Sequence, residues 1–472
     1  MGEEEIVMKN MTLKKIAEAV KGILNTEALS SHIDVNTVEA KGVFLDSRKV
    51  GAGDIFIATR GEHVDGHSFI DNVFDAGALG VICEQPPAHP KGPYIVVEDS
   101  FRALRELAEY YRGQIQAKVV GITGSVGKTS TKEFVASVLS QKFQVLKTEG
   151  NYNNEIGLPL TVLRICQDCE IAVLEMGISN FGEMHRLSQI AKPDVCLITN
   201  IGQCHLENLG TREGILRAKS EIFDFMQEGA GIFLNGDDDK LITVREVKGS
   251  IPIFFGSASN YGVYADAYEN RGLNGSVAQI HIDKMAFPVE IPLPGEHMLY
   301  DALAAAAIGA YFGLTPTQIQ CGIREVKAVD GRSHVMHTSR FTLIDDCYNA
   351  NPVSTKAAID LLSTTYFADK KRRKVAILGD MFELGIEEAA LHREVGIYAV
   401  QKGLDVLICV GELCKNMYEG AQSVAPENTK CLYFVDKKAL FSELDSIIQE
   451  GDFVLVKASH GMHFEEIITR LS

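Results

Sequence analysis

The chain has 472 residues, of which 46% are hydrophobic and 23% are charged, a composition typical of soluble globular proteins. Its 46 basic and 63 acidic residues give a net charge of −17, which argues against nucleic acid or an anionic membrane as a partner. No apolar run is long enough to span a bilayer, and the acidic N-terminus lacks the pattern of a signal peptide. The ten cysteines form no dense framework, so we expect reduced thiols, a cytoplasmic protein and no membrane insertion.

The length predicts about three domains. We expect residues 1–7 to form a frayed extension, because helical patterning starts near Leu13. Short strands and many turns follow, and an amphipathic helix over 100–112 then leads into the next segment. We place the domains at residues 1–98, 99–326 and 327–472.

The middle segment alternates between apolar strands and helices, and its predicted strands are KVVGITG, IAVLEMG, VCLITNI and GIFLNG. This alternation predicts a parallel sheet with helices on both faces, and ligands at the carboxyl ends of its strands. The third segment repeats the pattern with FTLIDD, KVAILGD, VLICVG, CLYFV and FVLVKA. The predicted fold class is therefore α/β, with a second open sheet of nucleotide-binding type.

Residues 118–132, KVVGITGSVGKTSTK, predict a strand, a glycine turn and the start of a helix. Glycines let backbone N–H groups approach phosphate, Lys128 can reach the β- and γ-phosphates, and Thr129 can ligate Mg²⁺. The usual loop has glycine five residues before Gly-Lys, whereas here Ile122 holds that position. A glycine turn without a ligand is the alternative, but the agreement of strand, loop and helix favours a nucleoside triphosphate site.

Further polar residues follow the predicted strands of the middle segment: Glu175, His205, Lys219 and the asparagines of 151–154. A carboxylate and an imidazole near Thr129 could complete a Mg²⁺ site. Alternatively, Glu175 neighbours a helix N-cap and His205 is a loop histidine without a ligand. Cys166 and Cys169 form a single C-x-x-C without a second pair, so we interpret them as structural thiols.

The order of these motifs resembles the Mur ligase family. DDCYNANPVS and LGDMFELG narrow the resemblance to the members that add D-alanyl-D-alanine, and DSRKVGAGDIFIATRGEHVDGHSFI resembles the family's uridine-nucleotide domain. The resemblance implies an N-terminal domain that binds the UDP-muramoyl peptide, a central P-loop ATP-binding domain and a C-terminal Rossmann-like domain that completes the ATP and dipeptide sites. It implies an ATP-dependent ligase that joins D-alanyl-D-alanine to UDP-N-acetylmuramoyl tripeptide through an acyl phosphate, acting as a monomer with two Mg²⁺ ions.

The resemblance also implies roles for single residues. In the phosphate loop, ATP would contact Gly124, Ser125, Val126, Gly127, Lys128, Thr129 and Ser130. In the third domain, Arg332 would reach the phosphates and Asp346 the ribose, and Tyr348 and Asn349 would line the nucleotide cleft. The substrate would contact Ser47 and Arg48 through its uridine diphosphate, and Asn151 and Asn154 through its muramoyl peptide. For Ser47 and Arg48 the alternative is a surface turn, and for the third-domain residues it is ordinary turn chemistry.

The implied catalytic residues are Lys128, Glu175, His205 and Lys219. Metal ions would be held by Thr129, Glu175, His205 and Lys219, the last as a carbamate that turns the cation into an anion. Carbamylation requires a lysine that spends time neutral, as burial favours; the alternative is a plain cation on substrate phosphate. Asp380 and Glu383 are expected to help position the dipeptide.

Two positions depart from the family pattern. Met298 stands where relatives have an asparagine facing adenine, and His460 stands where they have an arginine after Lys457-x-Ser. These departures leave open an ATP-binding regulator without catalysis. A second alternative, independent of the departures, is a sister ligase that adds a single amino acid.

Overall fold

The computed structural model describes residues 8–27, 34–364 and 372–472. The extension predicted at residues 1–7 lies outside these ranges. Three sheets follow one another along the chain, and the strands of each sheet come from one of the three predicted segments. The predicted α/β class is confirmed; the domain boundaries remain a prediction.

The first sheet has five strands: β1 (Ile23–Asn25), β2 (Val43–Phe44), β3 (Ile55–Ile57), β4 (Gly80–Cys83) and β5 (Tyr94–Val96). Their order is β1-β5-β4-β3-β2, and only the β1–β5 pair is antiparallel. Two helices, α1 (Leu13–Ala19) and α2 (Ile70–Asp75), accompany the sheet. Burial on both faces explains why β3 and β4 are continuously apolar rather than alternating.

The predicted helix over 100–112 is present as α3 (Ser100–Arg112). Asp99 caps its first turn by accepting a hydrogen bond from the Arg102 amide at 2.8 Å. At its other end, the Tyr111 hydroxyl donates to the Ile165 carbonyl of the central domain at 2.7 Å. Because its apolar face packs into a core that continues from the first domain into the central one, α3 joins the two domains firmly.

The central sheet has nine strands: β6 (Lys118–Thr123), β7 (Val145–Lys147), β8 (Ile171–Glu175), β9 (Val195–Ile198), β10 (Gly231–Asn235), β11 (Ile253–Gly256), β12 (Val263–Asn270), β13 (Ser276–Ile282) and β14 (Met285–Ile291). Their order is β14-β13-β12-β11-β10-β9-β6-β8-β7. The predicted parallel strands are all present. The sequence interpretation missed the antiparallel pairs β12–β13 and β13–β14, which make the sheet mixed.

The central helices are α4 (Lys128–Leu139), α5 (Gly157–Val162), α6 (Glu183–Ala191), α7 (Leu206–Leu209), α8 (Arg212–Ser220), α9 (His297–Tyr311) and α10 (Pro316–Arg324). Helix α4 buries Phe134, Val135, Val138 and Leu139, as their helical spacing predicts. Helix α9 is alanine-rich and almost entirely buried against α4, which fixes the helix that follows the phosphate loop.

The third sheet has six strands: β15 (His334–His337), β16 (Thr342–Asp345), β17 (Lys374–Gly379), β18 (Val406–Val410), β19 (Lys430–Phe434) and β20 (Phe453–Lys457). Their order is β15-β16-β20-β17-β18-β19, and all pairs except β15–β16 are parallel. The helices are α11 (Pro352–Thr364), α12 (Glu388–Gln401), α13 (Cys414–Gln422), α14 (Lys437–Ile447) and α15 (Glu465–Leu471).

Within the described ranges, no helix combines the length and apolar character needed to cross a membrane.

Candidate active site

The phosphate loop lies between β6 and α4, as its sequence predicts. Gly127 precedes the helix with φ +84°, a conformation that a residue with a Cβ adopts only with strain. A Cβ on Gly124 would lie 1.9 Å from the Thr199 hydroxyl, so only glycine fits there. The Lys128 ammonium donates to the Gly124 carbonyl at 2.9 Å and therefore folds back over the loop.

Asn200, which the sequence interpretation did not single out, holds this loop in place. Its Oδ1 accepts from the Val126 amide at 3.0 Å, and its Nδ2 donates to the Val126 carbonyl at 2.9 Å. Thr199 also donates to that carbonyl, at 2.6 Å. The loop is thus held from the end of β9, the strand next to β6.

Thr129 and Glu175 meet at the ends of α4 and β8. The Thr129 hydroxyl donates to Glu175 Oε2 at 3.0 Å, and Asn153 Nδ2 donates to Oε1 at 2.8 Å. Glu175 is only 1% exposed, and the ammonium of Lys132 lies 3.9 Å from Oε2. A hydroxyl and a carboxylate oriented by an amide are the oxygen ligands that Mg²⁺ prefers, so the residues present fit this ion.

Lys219 is completely buried, and its Nζ has no hydrogen-bond partner among the described residues. Burial lowers the pKa of Lys219 to about 8; the nearby Cys204 opposes this shift, and the positive charge of Lys128 adds to it. At neutral pH the neutral amine then amounts to about one tenth of the molecules, compared with well under one in a thousand for an ordinary lysine. The site therefore meets the requirement for carbamylation.

His205 lies in the left-handed region at φ +50° and faces the C-terminal domain. Its Nδ1 is 2.6 Å from Glu383 Oε2, and this contact lowers the pKa of Glu383. The backbone reinforces the junction, because the Glu207 amide donates to the Glu383 carbonyl at 3.3 Å. In the structure His205 thus links two domains; its metal role remains a prediction.

The C-terminal domain brings Arg332 to the phosphate loop. The guanidinium lies 3.9 Å above the Tyr348 ring and donates to the Thr129 hydroxyl at 3.3 Å. Asp346 accepts from the Ser333 amide at 2.9 Å and forms a buried ion pair with Lys457 at 2.6 Å. These contacts bring residues that are more than a hundred positions apart in the chain together on one side of the site.

A cavity of about 840 Å³ lies between the central and C-terminal domains. Most of the predicted site residues line it: Ser125, Val126, Gly127, Lys128, Thr129, Ser130, Asn154, Glu175, His205, Arg332, Asp346, Tyr348 and Asn349. Gly124 and the buried Lys219 are not among the lining residues. The cavity also includes Asn153 and Lys457, which the sequence interpretation did not assign to the site.

Three predicted substrate residues lie outside the cavity. Ser47 and Arg48 belong to a short 3-10 turn in the first domain. The exposed Arg48 guanidinium forms a bidentate ion pair with the Asp46 carboxylate, with both hydrogen bonds at 2.8 Å. Asn151 is exposed on the loop before α5. Asn154 does line the cavity, and its Oδ1 also accepts from the Gly157 amide at 2.8 Å, which supports the start of α5.

The residues that depart from the family pattern both border the cavity. Met298 is 2% exposed and packs into the apolar core beside α4. His460 is exposed, with its ring 5.4 Å from that of Tyr348.

Of the two residues expected to position the dipeptide, Glu383 lines the cavity, whereas Asp380 is buried with Oδ1 accepting from the Cys414 amide at 2.8 Å.

Comparison with known proteins places this geometry in a family. Three family profiles match: the Mur ligase family catalytic domain over 39–112, the Mur ligase middle domain over 122–309 and the Mur ligase glutamate ligase domain over 331–460. The chain is 37% identical to the UDP-N-acetylmuramoyl-tripeptide--D-alanyl-D-alanine ligase of Bacillus subtilis and 34% identical to that of Escherichia coli, each over 98% of this chain and 99% of the relative.

Solved structures agree with these matches. The MurF structure from Acinetobacter baumannii is 31% identical, with a TM-score of 0.88 over 99% of each chain. The MurF ligase from Thermotoga maritima, in complex with ADP, is 30% identical, with a TM-score of 0.78 over 91% of this chain and 96% of that one. The resemblance predicted from the motifs is confirmed, and the chain belongs to the Mur ligase family.

Proposed function

We propose that the protein is an ATP-dependent ligase that joins D-alanyl-D-alanine to UDP-N-acetylmuramoyl tripeptide, with ADP and phosphate as the other products. The single observation that carries the proposal is one cavity in which the phosphate loop, Glu175 and Arg332 of the C-terminal domain meet. The full-length relatives named for this reaction support the choice of substrates.

The reaction proceeds in two steps. The γ-phosphoryl group of ATP is transferred to the terminal carboxylate of the tripeptide, which gives an acyl phosphate and ADP. The amine of the dipeptide then attacks the acyl carbon, the bond from that carbon to the phosphate oxygen breaks, and phosphate leaves with the electron pair while the amine loses a proton. The product is the pentapeptide precursor of peptidoglycan.

Residues of this chain bind and orient the reacting groups. The loop over 124–130 surrounds the phosphates with backbone N–H groups, and Lys128 and Arg332 add positive charge from two domains. Closure of the C-terminal domain, held by the contact between His205 and Glu383, limits the access of water to the acyl phosphate.

Two magnesium ions are assigned to this site. Thr129 and Glu175 would hold one ion, and His205 with a carbamate on Lys219 would hold a second. Bound Mg²⁺ neutralises negative charge on the phosphoryl groups. The carbamate forms when the neutral Lys219 amine adds to CO₂ and releases a proton, and the unpartnered, buried Nζ supports this assignment.

The remaining assignments complete the proposal. Ser47 and Arg48 bind the uridine diphosphate. The planar guanidinium of Arg48, which pairs with Asp46 in the structure, can exchange this carboxylate for paired bonds to phosphate oxygens. Asn151 and Asn154 face the muramoyl peptide, Asp346 the ribose, and Tyr348 and Asn349 the nucleotide. The domains divide at 1–98, 99–326 and 327–472, and the protein acts as a cytoplasmic monomer.

Phosphate release from ATP tests this function. The enzyme is given Mg²⁺ and UDP-N-acetylmuramoyl tripeptide, together with D-alanyl-D-alanine, with single amino acids or with neither. We expect release that requires the dipeptide, with a matching gain in product mass. Release with a single amino acid on the dipeptide precursor would instead indicate a sister ligase, and ATP binding without release under any condition would indicate a regulator.

A further inference from the structure

Two residues that meet between the central and C-terminal domains have strained backbones. His205 has φ +50° and Glu383 has φ +63°, in the left-handed region that is uncommon for residues with a Cβ. Their side chains lie 2.6 Å apart, and a Cβ on Gly385 would lie 3.2 Å from the Glu207 Cα, so the two backbones approach closely here. Strain of this kind persists only where surrounding contacts impose it. The loop over 380–384 is therefore held by groups outside itself.

Amide hydrogen bonds hold this loop, which connects β17 with the 3-10 turn before α12. The Met381 amide donates to His392 Nε2 at 2.9 Å, and the Phe382 amide donates to the Ser459 hydroxyl oxygen at 2.9 Å. The Asp380 carbonyl accepts from the Ser459 amide at 3.0 Å. The three residues before the strained position are thus fixed by α12 and by the segment that follows β20.

His392 can accept the Met381 amide because its ring is buried and neutral. The ring is completely buried on α12, and its Nδ1 donates to the Glu388 carbonyl at 2.7 Å. This bond fixes the tautomer in which Nε2 carries a free lone pair. Burial lowers the pKa of His392, although the Glu388 carbonyl and the carboxylates of Asp380 and Glu388 oppose this shift. The accepting, neutral form of the ring is therefore the one present at neutral pH.

A metal site is the alternative role for the side chains around this ring. Asp380, His392 and Cys414 are all buried, and each offers a ligand atom within 4.8 Å of the others. However, His392 Nε2 already accepts from an amide, and Asp380 Oδ1 accepts from the Cys414 amide at 2.8 Å. Burial also raises the pKa of the Cys414 thiol, which disfavours the thiolate that a metal ion requires. The cluster is therefore a hydrogen-bond network that supports the loop.

We propose that His392 is a positioning residue that holds the 380–384 loop in the strained form in which Glu383 reaches His205. This inference rests on the proposed function, in which closure of the C-terminal domain keeps water from the acyl phosphate. Leu206, next to His205, packs against the core of the central domain and against that of the C-terminal domain, so this junction lies where the two domains meet. When the loop is no longer held, it relaxes to an ordinary backbone conformation and the junction opens.

Two substitutions of His392 separate the roles of its ring nitrogens. In His392→Gln, the side-chain carbonyl reaches the position of Nε2 and can accept from the Met381 amide. In His392→Asn, the shorter side chain reaches only the position of Nδ1, so the Met381 amide loses its acceptor. Val395→Ala is the matched control, because it removes buried apolar contacts on the same helix without removing a hydrogen bond of the loop.

Hydrogen exchange, followed by mass spectrometry, tests the contact without any measurement of activity. We expect the peptide that contains Met381 to exchange roughly tenfold faster in His392→Asn than in the unaltered protein, because one buried hydrogen bond is lost. In His392→Gln and Val395→Ala, the same peptide should exchange within about threefold of the unaltered rate. Thermal melting of each variant reports its overall stability.

The ratio of phosphate released to pentapeptide formed tests the role in the reaction. The enzyme receives ATP, Mg²⁺, UDP-N-acetylmuramoyl tripeptide and D-alanyl-D-alanine. We expect about one phosphate per product for the unaltered enzyme, His392→Gln and Val395→Ala. His392→Asn should release about twice as much phosphate as product or more, because water then competes with the dipeptide amine for the acyl phosphate. Its KM for ATP should change by less than about twofold.

Four results would overturn the inference, each at a different step. Unchanged exchange in His392→Asn would show that His392 does not hold the loop. Faster exchange with a ratio still near one would show that the loop does not keep water from the acyl phosphate. An equal change of the ratio in Val395→Ala would reduce the effect to general stability. If the unaltered enzyme formed no product, the proposed function would fail and the role in the reaction with it, while hydrogen exchange would still decide whether His392 holds the loop.

Discussion

Two helices of the central domain, α4 and α8, each bury a lysine. The two lysines differ in the groups that surround the ammonium. On α4, Lys132 is 2% exposed, and its ammonium donates to the Thr148 carbonyl at 2.8 Å and lies 3.3 Å from Glu133. On α8, Lys219 is fully buried, its Nζ has no hydrogen-bond partner in the part of the chain that the structure describes, and Lys128 adds a like charge nearby. A buried charge is tolerated when it is paired and costs stability when it is not. We therefore propose that Lys132 serves the fold and that Lys219 serves the chemistry.

The largest expected effect comes from Lys219→Met. Without the amine no carbamate forms, so we expect turnover to fall by roughly 1,000-fold, the size of effect seen when one electrostatic group of an active site is removed. Phosphate release measures turnover, and circular dichroism confirms the fold. Activity within tenfold of the unaltered enzyme would mean that catalysis does not require Lys219, and the proposed difference between the two lysines would be wrong.

The matched change on α4, Lys132→Met, should act on stability instead. It leaves the Thr148 carbonyl without its donor and the carboxylates of Glu133 and Glu175 without a buried cation. We expect the free energy of unfolding to fall by about 3 kcal/mol, as for other broken buried pairs. Denaturant unfolding measures this change. If Lys132→Met unfolds no more easily than Lys219→Met, the assignment of Lys132 to the fold is wrong.

The pH dependence of stability should show whether Lys219 carries an unfavourable buried charge. The pKa of Lys219 is lowered to about 8 from its ordinary value of 10.5, so the folded state holds fewer protons than the unfolded state between these values. The resulting penalty is fully present below pH 8 and disappears as the pH rises towards 10.5. Without CO₂, we expect Lys219→Met to exceed the unaltered protein in stability by about 3 kcal/mol at pH 7, with the gap closing above pH 8. A gap that stays constant across this range would argue against a buried, unpaired ammonium.

A smaller effect is expected on the Glu175 side of the site. Asn153→Ala removes the amide that orients Glu175 Oε1 and leaves Thr129 in place. Groups that orient a metal ligand contribute about tenfold to metal affinity, so the Mg²⁺ concentration for half-maximal phosphate release should rise by about tenfold. Asn428→Ala serves as the control, because Asn428 is exposed and does not line the cavity. Equal effects of the two variants would show that the orientation of Glu175 does not matter.

Much of the fold was predictable because its parallel strands are continuous apolar runs. The predicted run KVAILGD corresponds to β17, and FVLVKA to β20. The antiparallel strands β13 and β15 were missed. β13 is buried on alternate residues and β15 is only half-buried, so neither is a continuous apolar run. The phosphate loop was predictable because its chemistry depends on residues adjacent in sequence.

The rest of the site depends on contacts between distant residues. Asn200 holds the loop at Val126 from 74 positions away, yet in sequence it reads as one polar residue after a strand. The segment over 151–154 was recognised, but its sequence does not show that Asn153, rather than its neighbours, orients Glu175. Lys219 lies on a helix with charged neighbours, and only the packing of α8 reveals that its ammonium is buried and unpartnered.

The central claim is that the enzyme forms an amide bond in this cavity through an acyl phosphate. Transfer of labelled oxygen from the substrate carboxylate to phosphate tests this claim most directly. The terminal carboxylate of the tripeptide is labelled with ¹⁸O at both oxygens, and the released phosphate and the product are weighed by mass spectrometry. We predict that each turnover moves one labelled oxygen into phosphate and leaves the other in the new amide, and that this transfer requires D-alanyl-D-alanine. Phosphate released without label would contradict the account, because it would mean that ATP is cleaved by water rather than by the substrate carboxylate.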